Sequence, residues 1–172
     1  MTGSLLSLFG LRYLKKFYQF AASSQHEILI VERDGSDVVG MAILSTDPAT
    51  ILQRLMTSTP LVWYAVLSAS RLPLLAILRQ MFRPPPAVPE DALPELLVIA
   101  VVPERQSDGI GRRLTWRVEE EVAANGYQSY TVRTDAAPGN RALKFYHSLG
   151  FRDVGPFQYY GAPYLRLVKA FD

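Results

Sequence analysis

Cysteine is absent from this 172-residue chain, and histidine occurs only at positions 26 and 147. A chain without cysteine has no disulfide, no thiolate metal site and no cysteine nucleophile. The two histidines have no partner histidine or glutamate at the spacing that metal ligands require. The sequence therefore predicts a protein that works without a metal.

Neither sign of charge is in large excess, because 18 lysines and arginines and 16 acidic residues give a net charge of +2. That excess is too small to indicate a nucleic-acid partner. With 49% hydrophobic and 20% charged residues, the composition is that of a globular chain. We expect one domain over residues 1–172. The first residues show no positively charged signal segment, so the cytoplasm is the expected compartment.

The most informative stretch runs from Leu96 to Val122. An apolar run over residues 96–102 ends at Pro103, which cannot donate to a strand ladder. After a polar turn and a Gly-Ile-Gly sequence, apolar residues recur at every fourth position: Ile110, Leu114, Val118 and Val122. This pattern predicts a buried strand, a glycine-containing turn and an amphipathic helix that ends at Asn125-Gly126.

A helix that starts directly after such a turn is suited to an anion. Its first backbone N–H groups have no partner inside the helix, and its dipole makes that end positive. Glycines allow close approach of a ligand, and Arg112 and Arg113 add positive charge. A pyrophosphate would fit there. On spacing alone, a tight turn without any ligand explains the glycines equally well.

These residues resemble the GNAT superfamily of acyl-CoA-dependent N-acetyltransferases. Gln106, Gly109 and Gly111 fill the fixed places of the family's Q/R-x-x-G-x-G/A fingerprint, after a strand that ends in valine and proline. The block from Asn140 to Phe151 is similar to a second family segment, N-x-x-A-x-x-F-Y-x-x-x-G-F, with the alanine and asparagine one place closer. The resemblance extends from Pro94 to Phe151 and is weaker on either side.

The resemblance implies acetyl-CoA as the acyl donor and indicates which residues hold it. Backbone amides of the turn would bind the pyrophosphate, and the preceding strand would pair with the pantetheine arm and donate to the thioester carbonyl. Asn140 would contact the same arm, although a plain helix N-cap is an alternative role that does not exclude the first. The implied donor-binding residues are Val101, Val102, Gln106, Ser107, Asp108, Gly109, Ile110, Gly111, Arg112 and Asn140.

Two residues are candidates for proton transfer. The resemblance places Tyr146 near the sulfur of CoA as general acid, and helical spacing turns it inward. Glu95, at the head of the donor-binding strand, is the candidate base, because carboxylates on this strand act as bases in several relatives. A solvated glutamate at the strand end is the alternative. His147 is expected on the surface and His26 to be structural.

The predicted fold is α/β (α+β), with a mixed, mostly antiparallel GNAT-like sheet flanked by helices. Helices are expected over residues 4–22, from 110 and over 140–149. Strands are expected over residues 27–32, 38–44, 96–102, 129–134, from 151 and over 163–169. Family members usually begin with a strand and a helix, whereas this chain starts directly in a helix, so we expect either that the usual first strand is dispensed with or that the sequence begins late.

Residues 48–90 have no counterpart in a minimal member of the family. They predict a short helix near residues 51–56 and two apolar helices over 61–82, hinged near Arg71 and Pro73, which interrupt any membrane span. So much apolar surface has to be covered, by the core, a second subunit, an acceptor pocket or a membrane surface. We expect a homodimer, with peripheral membrane contact as a minor alternative.

The sequence as a whole predicts an N-acetyltransferase that moves an acetyl group from acetyl-CoA to a primary amine by direct attack. The acceptor is a small molecule or a peptidyl amine, and no motif identifies it. One alternative is transfer of a longer acyl chain, with the insertion forming a tunnel. Another is a CoA-binding module without catalysis.

Overall fold

The structure, a computed structural model, describes residues 11–58, 92–159 and 162–171. Within these ranges the chain forms six strands, four α-helices and one short 3-10 turn at Pro103–Arg105. In chain order the helices and strands are α1 Leu11–Ser23, β1 Glu27–Asp34, β2 Asp37–Ser45, α2 Ile51–Ser58, β3 Glu95–Val101, α3 Ile110–Ala124, β4 Ser129–Asp135, α4 Arg141–Ser148, β5 Arg152–Tyr159 and β6 Ala162–Ala170.

All six strands belong to one sheet in the order β1-β2-β3-β4-β6-β5. Every neighbouring pair is antiparallel except β3 and β4, which run parallel. The β1–β2 hairpin closes through Gly35 and Ser36, and Gly35 has a positive φ of 59°. The expected mixed, mostly antiparallel sheet is confirmed.

Helices cover both faces of the sheet, so each face has its own core. On one face, α3 and α4 enclose the larger core, which includes Leu44, Leu96, Leu114, Tyr130, Val132, Tyr146 and Leu167. On the other face, α1 and α2 pack on β2 and β3 through Phe17, Phe20, Ala21, Ile43 and Leu55. The apolar positions expected on α3 are all buried there, with exposed fractions of 0–1%.

A glycine on β2 sets the distance between the sheet and α3. A Cβ built on Gly40 would lie 2.7 Å from Ile110 Cγ2, closer than Cβ atoms approach other atoms in folded proteins, and 3.1 Å from Leu114 Cδ1, which is a tight contact. Helix α3 can therefore lie directly on the strand only because this residue has no side chain. The contact fixes where the first turn of α3 stands relative to the end of β3.

The predicted strands and helices are confirmed wherever the structure describes them, with ends shifted by a few residues. The short helix expected near residue 51 is α2, and the helix expected over residues 4–22 is seen from Leu11 to Ser23. Residues 4–10, the two helices expected over 61–82 and their hinge lie outside the described residues. None of the helices in the described ranges is long and apolar enough to cross a bilayer.

Candidate active site

The sheet opens between β3 and β4. These parallel strands pair only at Glu95 with Thr131 and at Leu96 with Val132, although β3 continues to Val101 and β4 to Asp135. Beyond Leu96, the side of β3 that faces β4 has no strand partner, while its other side stays paired with β2 as far as Val101 opposite Gly40. The result is a gap in the sheet, walled by two strands, that an extended ligand can enter.

Because β3 and β4 are parallel, the chain leaves both strands at the same edge of the sheet. The loop after β3 leads into α3, and the turn after β4 leads into α4. The amino ends of two helices therefore lie at the open end of the gap. Both ends carry the positive pole of a helix dipole, which favours an anionic group.

The loop before α3 has left-handed backbone at two residues, Ser107 with φ 79° and Gly109 with φ 74°. Gly109 is the N-cap of α3 and has no side chain to cap the helix. The first helical hydrogen bond is donated by Arg113 N to Gly109 O at 3.1 Å. The amides of Ile110, Gly111 and Arg112 therefore have no partner within the helix and are available to an anion.

Gly111 lies against α4 at a distance that leaves little room for a side chain. A Cβ built on it would lie 3.1 Å from Phe145 Cζ on α4. The missing side chain thus allows the close contact between α3 and α4. The same contact ties the two helix ends at the mouth of the gap to one another.

Most arginines around this loop are neutralised by carboxylates of the β1–β2 hairpin. Arg105 is bound to Asp34 and, through Nε at 2.7 Å, to Asp108. Arg113 donates to Glu32 at 2.8 Å and to the Asp108 carbonyl at 3.1 Å.

Arg117 belongs to the same group, because it donates to the Val31 carbonyl at 2.7 Å and lies 3.6 Å from Glu32. Arg112, by contrast, is exposed and makes no ion pair with any residue the structure describes. Of the two arginines expected to add charge at the helix end, only Arg112 has no carboxylate partner among the described residues. The charge of Arg113 serves the hairpin.

The remaining predicted donor-binding residues line the loop and the gap. Val101 and Val102 are half-buried, and Val102 N donates to the Val39 carbonyl at 3.0 Å. Gln106 is exposed, and its side-chain amide lies 3.4 Å from the Val101 carbonyl. Ser107 and Asp108 are exposed beside it.

Asn140 joins the end of β4 to the start of α4. Its Oδ1 accepts from Ala142 N at 2.9 Å, which makes it the N-cap. Its Nδ2 donates to Thr134 Oγ1 at 2.8 Å and to the Asp135 carbonyl at 2.6 Å. Both amide hydrogens are thereby used within the protein, so only an oxygen lone pair is left for a ligand.

Tyr146 lies on α4 in the larger core, with 5% of its surface exposed. Its ring packs edge to face on Phe151, with 5.3 Å between ring centroids, and against Phe145 at 5.5 Å. Burial raises the pKa of the hydroxyl well above the ordinary value for tyrosine. The group is protonated at neutral pH, as any tyrosine is, and burial makes it a weaker acid.

Glu95 is buried and forms a two-pronged ion pair with Arg133. Both contacts, Arg133 Nε with Oε1 and Nη2 with Oε2, measure 2.5 Å. Arg133 was not among the sequence candidates. The sequence feature that could have indicated it is the single charged residue in the predicted strand 129–134. A charged side chain on a strand of a sheet covered on both faces needs a carboxylate partner.

A second buried carboxylate was also missed. Glu27 is opposite Ser45 in the register of β1 and β2, and Ser45 is opposite Glu95, so the three lie in one row across the sheet. Glu27 accepts from Ser45 Oγ at 2.9 Å and is paired with Arg54 of α2, which also binds Asp47 at 2.9 Å. Hydrogen bonding from Thr50 lowers the pKa of Asp47.

The two histidines are outside this arrangement. His147 is exposed as expected, with Nε2 at 2.7 Å from Asp153 Oδ1. His26 is exposed and its carbonyl accepts from Thr46 N at 2.9 Å, which closes the open end of the β1–β2 hairpin. Among the described residues there is no group of three side chains that could hold a metal ion.

A mixed sheet parted between two parallel strands, with free helix amides at the mouth and a protonated tyrosine on the following helix, defines a protein of the N-acetyltransferase class. The family model described as the Acetyltransferase (GNAT) family matches residues 5–151. The chain belongs to this family, and the match includes the region of the insertion.

Solved structures with this fold include two that contain coenzyme A. One is an aminoglycoside 6'-N-acetyltransferase, 16% identical, with a TM-score of 0.59 over 94% of this chain and 81% of its own. Another is the PaiA N-acetyltransferase of Thermoplasma acidophilum, 13% identical, with a TM-score of 0.54 over 93% and 70%. A further acetyltransferase is 20% identical, with a TM-score of 0.63 over 97% and 86%. Comparison with curated sequences gives no match.

Proposed function

We propose that the protein transfers an acetyl group from acetyl-CoA to a primary amine of an acceptor. The observation that carries this proposal is the gap between β3 and β4, which has the unpartnered amides of Ile110, Gly111 and Arg112 at its mouth. A thioester on a long, flexible arm with a pyrophosphate at its far end fits both parts of such a site.

In this proposal the pyrophosphate binds at the turn from Gln106 to Gly111. The pantetheine arm lies along the unpaired side of β3, where its amides can replace the missing strand partner. The thioester carbonyl then accepts a hydrogen bond from backbone N–H near Val101, which stabilises the oxyanion of the tetrahedral intermediate. Asn140 supports the wall of the gap as the cap of α4 and can accept from the arm through its free lone pair.

The reaction itself needs no covalent enzyme intermediate. The neutral amine attacks the carbonyl carbon, a C–N bond forms, and the C–S bond breaks as the thiolate leaves. Tyr146 gives its proton to the thiolate, and the amine's proton passes to Glu95 or to water. Tyr146 holds its proton at neutral pH, and its place on α4 rather than its acidity supports this role, because burial raises its pKa and makes it a weaker acid.

To act as the base, Glu95 needs a lone pair that is not engaged by Arg133. Each carboxylate oxygen lies 2.5 Å from a guanidinium nitrogen, but each also has a second lone pair. In this proposal Arg133 positions the carboxylate for the acceptor amine. Water as the proton acceptor is the alternative.

We also propose that residues 1–172 form a single domain that acts in the cytoplasm as a homodimer, with residues 48–90 forming a helical insertion. Transfer of a longer acyl chain and CoA binding without transfer are the other functions to be tested. No metal is required by any of the steps above.

The experiment is a panel of primary amines incubated with the protein and acetyl-CoA, with free thiol and acetylated product both measured. We expect equal release of CoA thiol and formation of amide for at least one amine. Butyryl-CoA and palmitoyl-CoA in parallel test the longer chains. Tight CoA binding with no thiol release for any donor and amine would favour the binding module and overturn catalysis.

Gly109→Val serves as the control for the donor site. A β-branched residue does not adopt φ 74°, and its side chain would stand where the pyrophosphate binds. The variant should therefore lose most of its CoA affinity in calorimetry while keeping a folded circular dichroism spectrum. Unchanged CoA affinity in the folded variant would place the pyrophosphate elsewhere.

A further inference from the structure

Trp116 on α3 is a large aromatic side chain that the fold leaves in solvent. It is 53% exposed, more than Leu29, Val38 or Val154, the other large exposed hydrophobic residues among those described. The opposite face of the same helix is buried almost completely. An exposed aromatic ring of this size is informative because burial would otherwise stabilise it.

Arg112 stands one turn before Trp116, on the same side of α3. Four residues along an α-helix correspond to about 6 Å of rise, and side chains at this spacing are neighbours. Arg112 is exposed and makes no ion pair with the described residues. Its backbone amide is one of the three that α3 leaves unpartnered at the mouth of the gap.

The charges around the mouth differ from one side to the other. On the side of the β1–β2 hairpin, Asp34 and Glu32 engage Arg105 and Arg113, and Asp108 adds a further carboxylate. These carboxylates already engage Arg105, Arg113 and Arg117, so the guanidinium groups on that side are not free for a phosphate. On the side of Arg112 the guanidinium is free to bind an anion, so negative charge beyond the pyrophosphate is directed toward Arg112 and Trp116.

We propose that Arg112 and Trp116 form a subsite for the nucleotide end of CoA. The adenine ring stacks on the Trp116 indole, and Arg112 binds the 3′-phosphate of the ribose. Proteins often hold a nucleotide by stacking its base on an aromatic ring and by pairing its phosphate with an arginine, whichever base is present. The proposal rests on the proposed donor site at the amino end of α3, and it adds a residue one turn further along that helix.

The test compares two ligands in calorimetry, CoA and 4′-phosphopantetheine, which has the arm without the nucleotide. Trp116→Ala should raise the Kd for CoA about fivefold, the lower end of the effect of base stacking. It should leave the Kd for 4′-phosphopantetheine unchanged. Trp116→Phe keeps an aromatic face and should retain most of the CoA affinity. Val154→Ala, on the edge strand β5, is the matched control.

Arg112→Gln distinguishes the contribution of the 3′-phosphate to binding from that of the adenine base. It should weaken binding of CoA by more than it weakens binding of dephospho-CoA, which lacks the 3′-phosphate. A direct signal comes from fluorescence, because the chain has only two tryptophans. Adenosine 3′,5′-bisphosphate should quench the emission of the unaltered protein and should quench the Trp116→Phe variant much less.

Two results would overturn the subsite while leaving the proposed function intact. One is an unchanged Kd for CoA in folded Trp116→Ala, and the other is an equal loss for CoA and 4′-phosphopantetheine. If the unaltered protein binds neither ligand, the proposed function fails together with the subsite.

Discussion

At the scale of single residues, Tyr146 is the candidate whose proposed chemical role can be separated from its role in the core. Its hydroxyl makes no hydrogen bond to any described residue, and burial raises its pKa. A buried hydroxyl without a partner contributes little to stability, and its removal is nearly neutral. A loss of activity on removing it would therefore report on proton transfer.

We predict that Tyr146→Phe lowers kcat roughly 10²-fold, the lower end for a positioned general acid. The Kd for CoA and the midpoint of urea unfolding should stay close to those of the unaltered protein. Tyr127→Phe, a half-buried tyrosine at the edge of the same core, is the control. An unchanged kcat, with chemistry shown to be rate-limiting, would make Tyr146 a core residue only.

The raised pKa of Tyr146 also predicts how stability depends on pH. In the unfolded chain the hydroxyl ionises near pH 10, while in the folded protein it stays protonated to higher pH. Its contribution to stability is therefore complete below pH 10 and is lost as pH rises above that value. Tyr146→Phe should remove this part of the alkaline loss, as measured by urea unfolding between pH 9 and 11.

At the scale of helices and strands, two contacts fix helices on the sheet: Gly40 lies beneath α3, and Arg54 joins α2 to β1. We predict that Gly40→Ala destabilises the protein by about 1–3 kcal/mol, because the added methyl group overpacks the contact with Ile110. It should also weaken CoA binding, since α3 has to shift at its first turn. Gly155→Ala is the control, because a Cβ at Gly155 meets nothing within 4 Å.

If the Gly40→Ala variant unfolds at the same urea concentration as the unaltered protein, then the sheet and α3 can adjust, and the close approach is not a constraint. The Gly155 control guards against a general effect of replacing glycine in a strand.

Arg54 compensates Glu27, whose side chain is completely buried and whose Oε2 has no partner. We predict that Arg54→Ala lowers the free energy of unfolding by about 3 kcal/mol, the lower end for breaking a buried ion pair, since Arg54 is 21% exposed. Adding Glu27→Gln should restore part of the loss. If the double variant is no more stable than Arg54→Ala, the buried charge is not the cause.

The sequence predicted the parts of the fold that repeat a local pattern. The four-residue spacing on α3 is visible along the chain, and so is the glycine at each helix end, Gly126 and Gly150, both with positive φ. The pairing of Glu95 with Arg133 and of Glu27 with Arg54 joins residues 38 and 27 positions apart. Such contacts depend on strand order and register, which no local pattern contains.

The same limit explains the arginines at the donor loop. Their positions in the sequence indicated positive charge near a helix end, and this holds for Arg112. That Arg113 instead binds Glu32 depends on the β1–β2 hairpin folding back beside α3, 81 residues away along the chain. The sign of the charge could be predicted, but its partner could not.

At the scale of the whole molecule, the outer edge of β1 remains without a strand neighbour in the described sheet. Arg117 covers the Val31 carbonyl on this side of the molecule, and Leu29 is 37% exposed. An open sheet edge favours association with another chain. We predict that light scattering gives the mass of a dimer at micromolar concentration.

A monomer mass that persists at high protein concentration would contradict this prediction. Co-sedimentation of that monomer with anionic vesicles, but not with neutral ones, would then favour a membrane-surface contact. A dimer that sediments with neither anionic nor neutral vesicles would favour a soluble amine or a peptide as the acceptor.

The parting of β3 from β4 has a consequence for hydrogen exchange along β3. Two residue pairs and the hydrogen bond from Thr131 N to the Pro94 carbonyl join the backbones of the halves β1-β2-β3 and β4-β6-β5, so the β3 amides beyond Leu96 on the side of β4 have no strand partner. Between Leu97 and Val101, every second amide of β3 faces the gap and should exchange its hydrogen with deuterium faster than those that face β2. A bound pantetheine arm would bridge the halves, and these amides should then become the most strongly protected by the ligand.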